Sequence, residues 1–174
     1  MGKKVVLRNR RFSIIENAVK LPNGNDMTVF YMDPGPAIFI IPVLSGKILL
    51  ERQYRPVLGK WIYELPAGRV DMGESASRAV RRELEEETGY YPNTVKRLFA
   101  TYSSPGLLTE AVPIYLATGL MKRKKHLGKH EVIKAKFYPI GELLRMIRSN
   151  RINDGKTIQA ILFYNQFLKH KSRV

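Results

Sequence analysis

The sequence predicts an α/β fold preceded by an antiparallel β-region. Three observations carry that class. Strand-like runs bounded by turn residues fill the first third of the chain. A helical segment follows in which Ala76, Val80 and Leu84 recur every four residues. Further strand-like runs come next, and two helical segments close the chain. At 174 residues, 44% hydrophobic and 26% charged, the chain has the length of about one domain and the apolar content for one core. That composition is neither disordered nor fibrous.

The elements follow in order. Arg11 to Leu21 and Met27 to Met32 flank Pro22-Asn23-Gly24-Asn25, whose Asn-Gly pair signals a hairpin. Asp33-Pro34-Gly35-Pro36 breaks the chain and divides residues 1–35 from 36–174. Ala37 to Leu44 and Lys47 to Tyr54 flank Ser45-Gly46, a second hairpin. Trp61 to Leu65 is a short strand ending at Pro66-Ala67-Gly68. The helix runs from Glu74 to Thr88, and Gly89 stops it. Val95 to Tyr102 and Ala111 to Ala117 are strands joined by the loop Ser103 to Glu110. His130 to Tyr138 is a further strand. Gly141 to Ile147 is a short helix, and Thr157 to Leu168 closes the chain with Ile158, Ile161, Leu162 and Leu168 on one face. There is no internal repeat.

Composition excludes several classes. With no cysteine, a disulfide scaffold, a thiolate zinc site and a cysteine nucleophile are ruled out. The longest apolar run, Ala37 to Leu44, contains Pro42 and falls far short of a membrane span. The N-terminal stretch lacks the apolar run of a secretory signal. Met1-Gly2 hints at myristoylation, but Val6 stands where Ser or Thr is wanted. The expectation is a soluble cytoplasmic protein without a membrane partner. Lys plus Arg is 30 against 15 for Asp plus Glu, a net charge of +15. Such a field attracts nucleotides, phosphates and nucleic acid, though it equally describes a solvated basic surface. The basic run Lys122 to Lys125 has no interleaved aromatic residue, which disfavours a nucleic-acid patch.

The scarce acids are concentrated. Four of the five residues from Glu83 to Glu87 are Glu. On a helix, Glu83 and Glu87 share one face and Glu86 borders it. Like charges at that spacing repel by a few tenths of a kcal/mol, about 0.2–0.5 per exposed pair. A divalent cation would reverse that sign, and magnesium takes hard oxygen ligands. The other reading is a solvated helix in which Arg81 neutralises Glu85 and Arg82 neutralises Glu86. The helix alone leaves both open.

The flanking residues separate them. Gly68 is followed by five residues, Glu74, seven residues, Arg82-Glu83-Leu84, one residue, Glu86-Glu87, one residue, and Gly89-Tyr90. This pattern closely resembles the signature of the Nudix hydrolases, with every fixed position matched. Tyr90 alone departs, being aromatic where an aliphatic is usual, and should affect packing only. The resemblance implies an α/β/α sandwich with a mixed sheet, and the box as loop, helix and loop. It implies that Arg82 orients the carboxylates. Glu83, Glu86 and Glu87, with the carbonyl of Ala67, would hold Mg2+ or Mn2+. Independently, Gly68 suits a tight turn, and Glu74 would open the helix where its charge favours the dipole.

Residues outside the box resemble the ADP-ribose pyrophosphatase branch. They are Arg52-Gln53-Tyr54-Arg55, Glu64-Leu65-Pro66-Ala67-Gly68, Pro105 sixteen residues beyond Gly89, and Glu110 at the end of its loop. A weaker likeness continues through Asp154-Gly155-Lys156-Thr157. The resemblance implies hydrolysis of ADP-ribose to AMP and ribose 5-phosphate. Arg52 and Arg55 would bind diphosphate or ribose, or else be exposed strand charges. Glu64 would accept from adenine or ribose, or simply end a strand. Trp61 is either core or an adenine stack. Glu110 would act as general base or as a further metal ligand. His126, His130 and His170 lack metal-ligand spacing and are assigned nothing. Residues 1–35 resemble the β-region through which such enzymes form homodimers. The rivals are another Nudix substrate (a GDP-sugar, a dinucleoside polyphosphate or an RNA 5′ end) and a non-catalytic nucleotide- or RNA-binding module.

Overall fold

A computed structural model describes residues 2–129 and 131–169. His130 and His170 lie outside the described residues. The N-terminal part is a three-stranded antiparallel sheet of β1 (Lys3–Arg8), β2 (Ser13–Lys20) and β3 (Asp26–Asp33). The β2–β3 hairpin turns where Asn-Gly stands, with Gly24 at φ 86°. β1 was not expected, because its KKVVLR sequence carries no alternation of apolar and polar residues. It forms by pairing with β2, and all six of its residues stay exposed.

The remaining chain supplies β4 (Ala37–Leu44), β5 (Lys47–Arg55), β6 (Lys60–Glu64), β7 (Ala67–Arg69), α1 (Ala76–Thr88), β8 (Tyr90–Tyr102), β9 (Ala111–Lys122), β10 (Ile133–Pro139), α2 (Ile140–Arg148) and α3 (Gly155–Phe167). The β4–β5 hairpin is a two-residue turn in which Ser45 and Gly46 both take positive φ. β8 starts five residues before the expected Val95, because Gly89 ends α1 at φ 75° and the chain passes straight into the strand. β9 likewise continues to Lys122, pairing with Tyr90.

These strands form one mixed sheet in the order β10-β5-β4-β9-β8, with β6 beside β5 and β7 beside β4. Only the β4–β9 pair is parallel among them. Strand alternation sends neighbouring side chains to opposite faces, and each face meets a helix layer. Ile38 and Ile40 pack with Val80 and Leu84 of α1. Phe39 and Ile41 pack with Leu143 of α2 and Ile161 of α3. Full burial of a side chain such as Leu84 is worth about 1.5–3 kcal/mol. The result is the α/β/α sandwich. Tyr90 stacks edge-on against Phe137 on the α1 side, a packing role as expected. In α3 the buried face is Thr157, Ala160, Ile161 and Tyr164. Leu162, expected on that face, is exposed.

The two sheets meet at one useful place. Met32 of β3 donates to the Leu107 carbonyl at 2.8 Å and accepts from the Thr109 N–H at 3.3 Å. The N-terminal sheet therefore tethers the loop that ends at Glu110.

Candidate active site

The carboxylate helix begins at Ala76, two residues later than the expected Glu74. Ser75 is the N-cap, and its side chain accepts the Arg78 N–H at 3.3 Å. Glu74 thus precedes the helix, and no acid sits in the first turn. The expected dipole role gives way to an ion pair. Glu74 accepts from Arg82 Nε at 3.1 Å and Nη2 at 2.8 Å, and from the Asp71 N–H at 3.2 Å. A two-pronged guanidinium contact is stronger than a dipole interaction at an exposed end.

Arg82 gathers the outer acids. Its Nη1 meets Glu83 at 2.7 Å and Glu86 at 3.4 Å, and its Nη2 donates to the Arg69 carbonyl at 2.9 Å. The Arg82 hydrogen bonds pull Glu74 below the usual carboxylate range, and the acids in turn hold Arg82 firmly charged. Glu83 is nonetheless pushed up, because burial outweighs its bond to Arg82. The i+4 pairs weighed for a merely solvated helix are half realised. Arg82 reaches Glu86, but Arg81 bonds Ser77 and the Asn93 carbonyl, leaving Glu85 to Arg123 at 3.3 Å.

The inner end is different. Glu83 reaches from Arg82 towards it: Gly68 lies in strand β7 and not in the expected tight turn, and Glu83 crosses it so closely that a Cβ there would overlap its carboxylate. Glu87 is buried and accepts the Ala67 N–H at 3.3 Å. Beside it lies Glu51 of β5, 1% exposed. Burial pushes Glu51 up to about 8, against the opposing charge of Lys125. Burial also pushes Glu87 well up, with the charges of Glu51 and Glu83 adding to it. Oε1 of Glu51 has no hydrogen-bond partner. Sequence reasoning passed over Glu51. Its signal was a lone acid within the apolar run Ile48-Leu49-Leu50.

A slot of about 100 Å³ opens alongside, lined by Arg55, Glu64, Ala67, Glu110, Asp154 and Lys156 among others. Arg55 forks onto Glu64, with Nε at 3.0 and 3.1 Å from its two oxygens and Nη2 closing the pair. Burial opposes the Arg55 charge, but the Glu64 bond prevails and its pKa is raised. Glu110 is held by the Ser103 hydroxyl at 3.1 Å. Asp154 caps α3 through the Thr157 N–H at 2.8 Å and pairs with Lys156 at 3.4 Å. Thr157 in turn accepts the Leu65 N–H at 3.0 Å, which ties the start of α3 to the segment before Ala67. Asp154 and Lys156 had been noted only as a weak likeness. Nothing local marks them as partners of Arg55, about a hundred residues earlier in the chain.

Other expected residues lie elsewhere. Arg52 and Trp61 sit on the opposite face of β5 and β6 from Arg55 and Glu64, since Arg52 pairs with Tyr63 and Tyr54 with Trp61. There the Arg52 guanidinium stands 5.2 Å from the Trp61 ring centre. Trp61 is half-buried, neither core nor slot lining. Pro105 is exposed in its loop and does not line the slot. Glu86 faces outward into a groove of about 640 Å³ that also holds Glu74, Arg82 and His126.

The donor set suits a hard divalent cation. Among the described residues, no three histidine, aspartate or glutamate side chains converge on one point as they stand. Yet buried carboxylates of like charge act on one another beside strand β7, one with an orphaned oxygen. A cation satisfies both features.

Comparison with known proteins bears on this arrangement. The model of the NUDIX domain matches residues 33–161. An ADP-ribose pyrophosphatase of Bacillus subtilis is 30% identical over 166 residues, covering 94% of this chain and 90% of its own. A methanol dehydrogenase activator of Bacillus methanolicus is 35% identical over 158 residues, covering 88% of this chain and 85% of its own. A crystal structure of an ADP compounds hydrolase superposes with a TM-score of 0.85 at 22% identity, covering 100% of this chain and 95% of that one. That last likeness is one of fold.

Proposed function

The chain belongs to the Nudix family, and from that premise we propose that it hydrolyses the diphosphate of ADP-ribose to AMP and ribose 5-phosphate. The reading rests on one observation above the rest. Arg55, Lys156 and Glu110 line the same slot as Ala67 of β7, and Glu87 and Glu83 lie against Ala67 and Gly68 of that strand. Cations for a diphosphate and a base for water thus stand next to the carboxylates of the box. The ADP-ribose pyrophosphatase relative supports the choice of substrate.

Glu83, Glu86, Glu87 and the Ala67 carbonyl would hold the cation, Mg2+ or Mn2+. When bound, it would supply Lewis-acid stabilisation of the diphosphate oxygens. The chain's own groups do the rest. Arg82 keeps Glu83 and Glu86 oriented. Arg55, whose Nε and Nη2 are held by Glu64, keeps Nη1 for the diphosphate. Glu110, held by Ser103, takes the proton of the attacking water. Glu110→Gln therefore lowers kcat by about 10²–10⁴-fold with little change in KM. An unchanged kcat would move the base elsewhere.

Release of AMP from ADP-ribose with Mg2+, beside EDTA and Glu87→Gln controls, tests the whole reading. Release absent from both controls supports it. Folded protein that releases no AMP would sink the ADP-ribose assignment, and GDP-mannose, diadenosine polyphosphates and 5′-capped RNA then compete for it. An RNA substrate would show a steep loss of binding with salt. Nucleoside diphosphates are solutes of the cytoplasm, where we place the enzyme.

Residues 1–35 we take as a dimerisation element and 36–174 as the catalytic domain. The N-terminal sheet leaves Val5, Leu7 and Phe30 exposed, Phe30 at 57%, which supports a homodimer. Sedimentation of Phe30→Asp should then show a shift to monomer. Wild type sedimenting as a monomer would end this assignment.

A further inference from the structure

We propose that Glu51 is a further anionic group of the divalent-cation site, a positioning carboxylate held behind Glu87. This rests on the metal-dependent reading above and deepens it. The register of β5 places Glu51 opposite Glu64 on β6 and Ala135 on β10. Leu50 beside it packs with the α2–α3 core, so Glu51 turns to the α1 face, where Glu87 lies. Glu51 is 1% exposed, and its Oε1 has no partner.

No basic side chain satisfies it. Among the described residues, none forms an ion pair with Glu51 within 4 Å. The guanidinium of Arg55 is spent on Glu64. Lys125, the cation whose charge acts on Glu51 most, donates instead to the Ile133 carbonyl at 3.1 Å. A buried carboxylate in that condition is costly to the fold. An apolar residue would serve packing better, as Leu49 and Leu50 show on either layer. The arrangement makes physical sense when a cation offsets the combined charge of Glu51, Glu83 and Glu87. Glu51 then strengthens the negative field on the cation from beside Glu87.

The test uses the full chain with Mn2+ as probe, followed by calorimetric titration, by its electron paramagnetic resonance signal and by melting with and without the metal. Wild type binds Mn2+ and melts higher with it. Glu51→Gln weakens Mn2+ binding about 10–100-fold, and Glu51→Asp recovers part of the loss. Glu51→Leu melts higher than wild type without metal and loses most of the metal-linked rise. Wild-type Mn2+ affinity in both Glu51→Gln and Glu51→Leu would overturn the role of Glu51 alone. Failure of wild type to bind Mn2+ would overturn the metal site and this inference together. Should Glu51→Leu not fold, the near-isosteric Glu51→Gln decides.

Discussion

The two ends of the carboxylate helix are built on opposite principles. At the outer end, Glu74, Glu83 and Glu86 surround Arg82, and every acid has a cationic partner. At the inner end, Glu87 and Glu51 are buried together, and Glu87 has only a backbone N–H. The outer end is balanced by the chain itself and sets the shape of the loop. The inner end is left unbalanced, and that is where the proposed cation would gain most.

Four experiments sharpen or break that contrast. The largest effect belongs to Glu87→Gln. Turnover should fall below detection while the metal-free protein melts at a higher temperature, because a buried charge is gone. A steady-state assay and a melt in EDTA check both halves. A lower melting temperature would mean that Glu87 is balanced after all.

Arg82→Ala should do the reverse at the outer end. Four acids, Asp71, Glu74, Glu83 and Glu86, lose a partner, and stability should fall by about 2 kcal/mol, with some loss of rate as Glu83 and Glu86 lose their orientation. Urea unfolding gives the number. An unaltered midpoint would remove Arg82 as the organiser of the loop.

Acidity should separate the two ends without mutation. Glu51 and Glu87 titrate higher in the folded chain than in the unfolded one. The native state then keeps protons that the unfolded state releases, so metal-free stability falls as pH rises from about 4.5 towards 8. Glu74 is shifted downwards, so its contribution is present above the unfolded value and is lost as pH falls below it. Melting curves in EDTA should show the neutral limb flattened in Glu51→Gln and the acid limb flattened in Arg82→Ala. A flat neutral limb in wild type would contradict the buried pair.

The smallest effect is expected outside both ends. Arg52→Ala and Trp61→Phe lie on the far face of the sheet and should change KM for ADP-ribose less than about threefold, under 1 kcal/mol. Arg55→Ala, in the slot, should raise it more. A large effect from Trp61 would show that the far face takes part in binding.

Much of this was legible in the residues. The hairpins at Asn23-Gly24 and Ser45-Gly46, the helix and its stop at Gly89 depend on neighbours in sequence, and they formed as expected. The helix starts at Ala76 and not at Glu74 because Ser75 caps it and Arg82, on the helix itself, holds Glu74 outside. Strand β1 was missed because its order comes from pairing with β2 and not from its own pattern. At the site, the spacing of Glu83, Glu86 and Glu87 marked the helix proposed to hold the cation. It could not show that Glu86 faces out while Glu87 faces in.

The residues alone carried the likeness to the family and the helix that bears the acids. Those depend on short-range spacing, which a chain cannot lose on folding. Only the tertiary structure decided which charges are solvated and which are buried. It also set Lys156 in one slot with Arg55, put Arg52 and Trp61 on the far face, and brought Glu51 beside Glu87. The cost of a charge depends on everything packed around it, and here that packing comes from β5, β6, β10 and α1 at once.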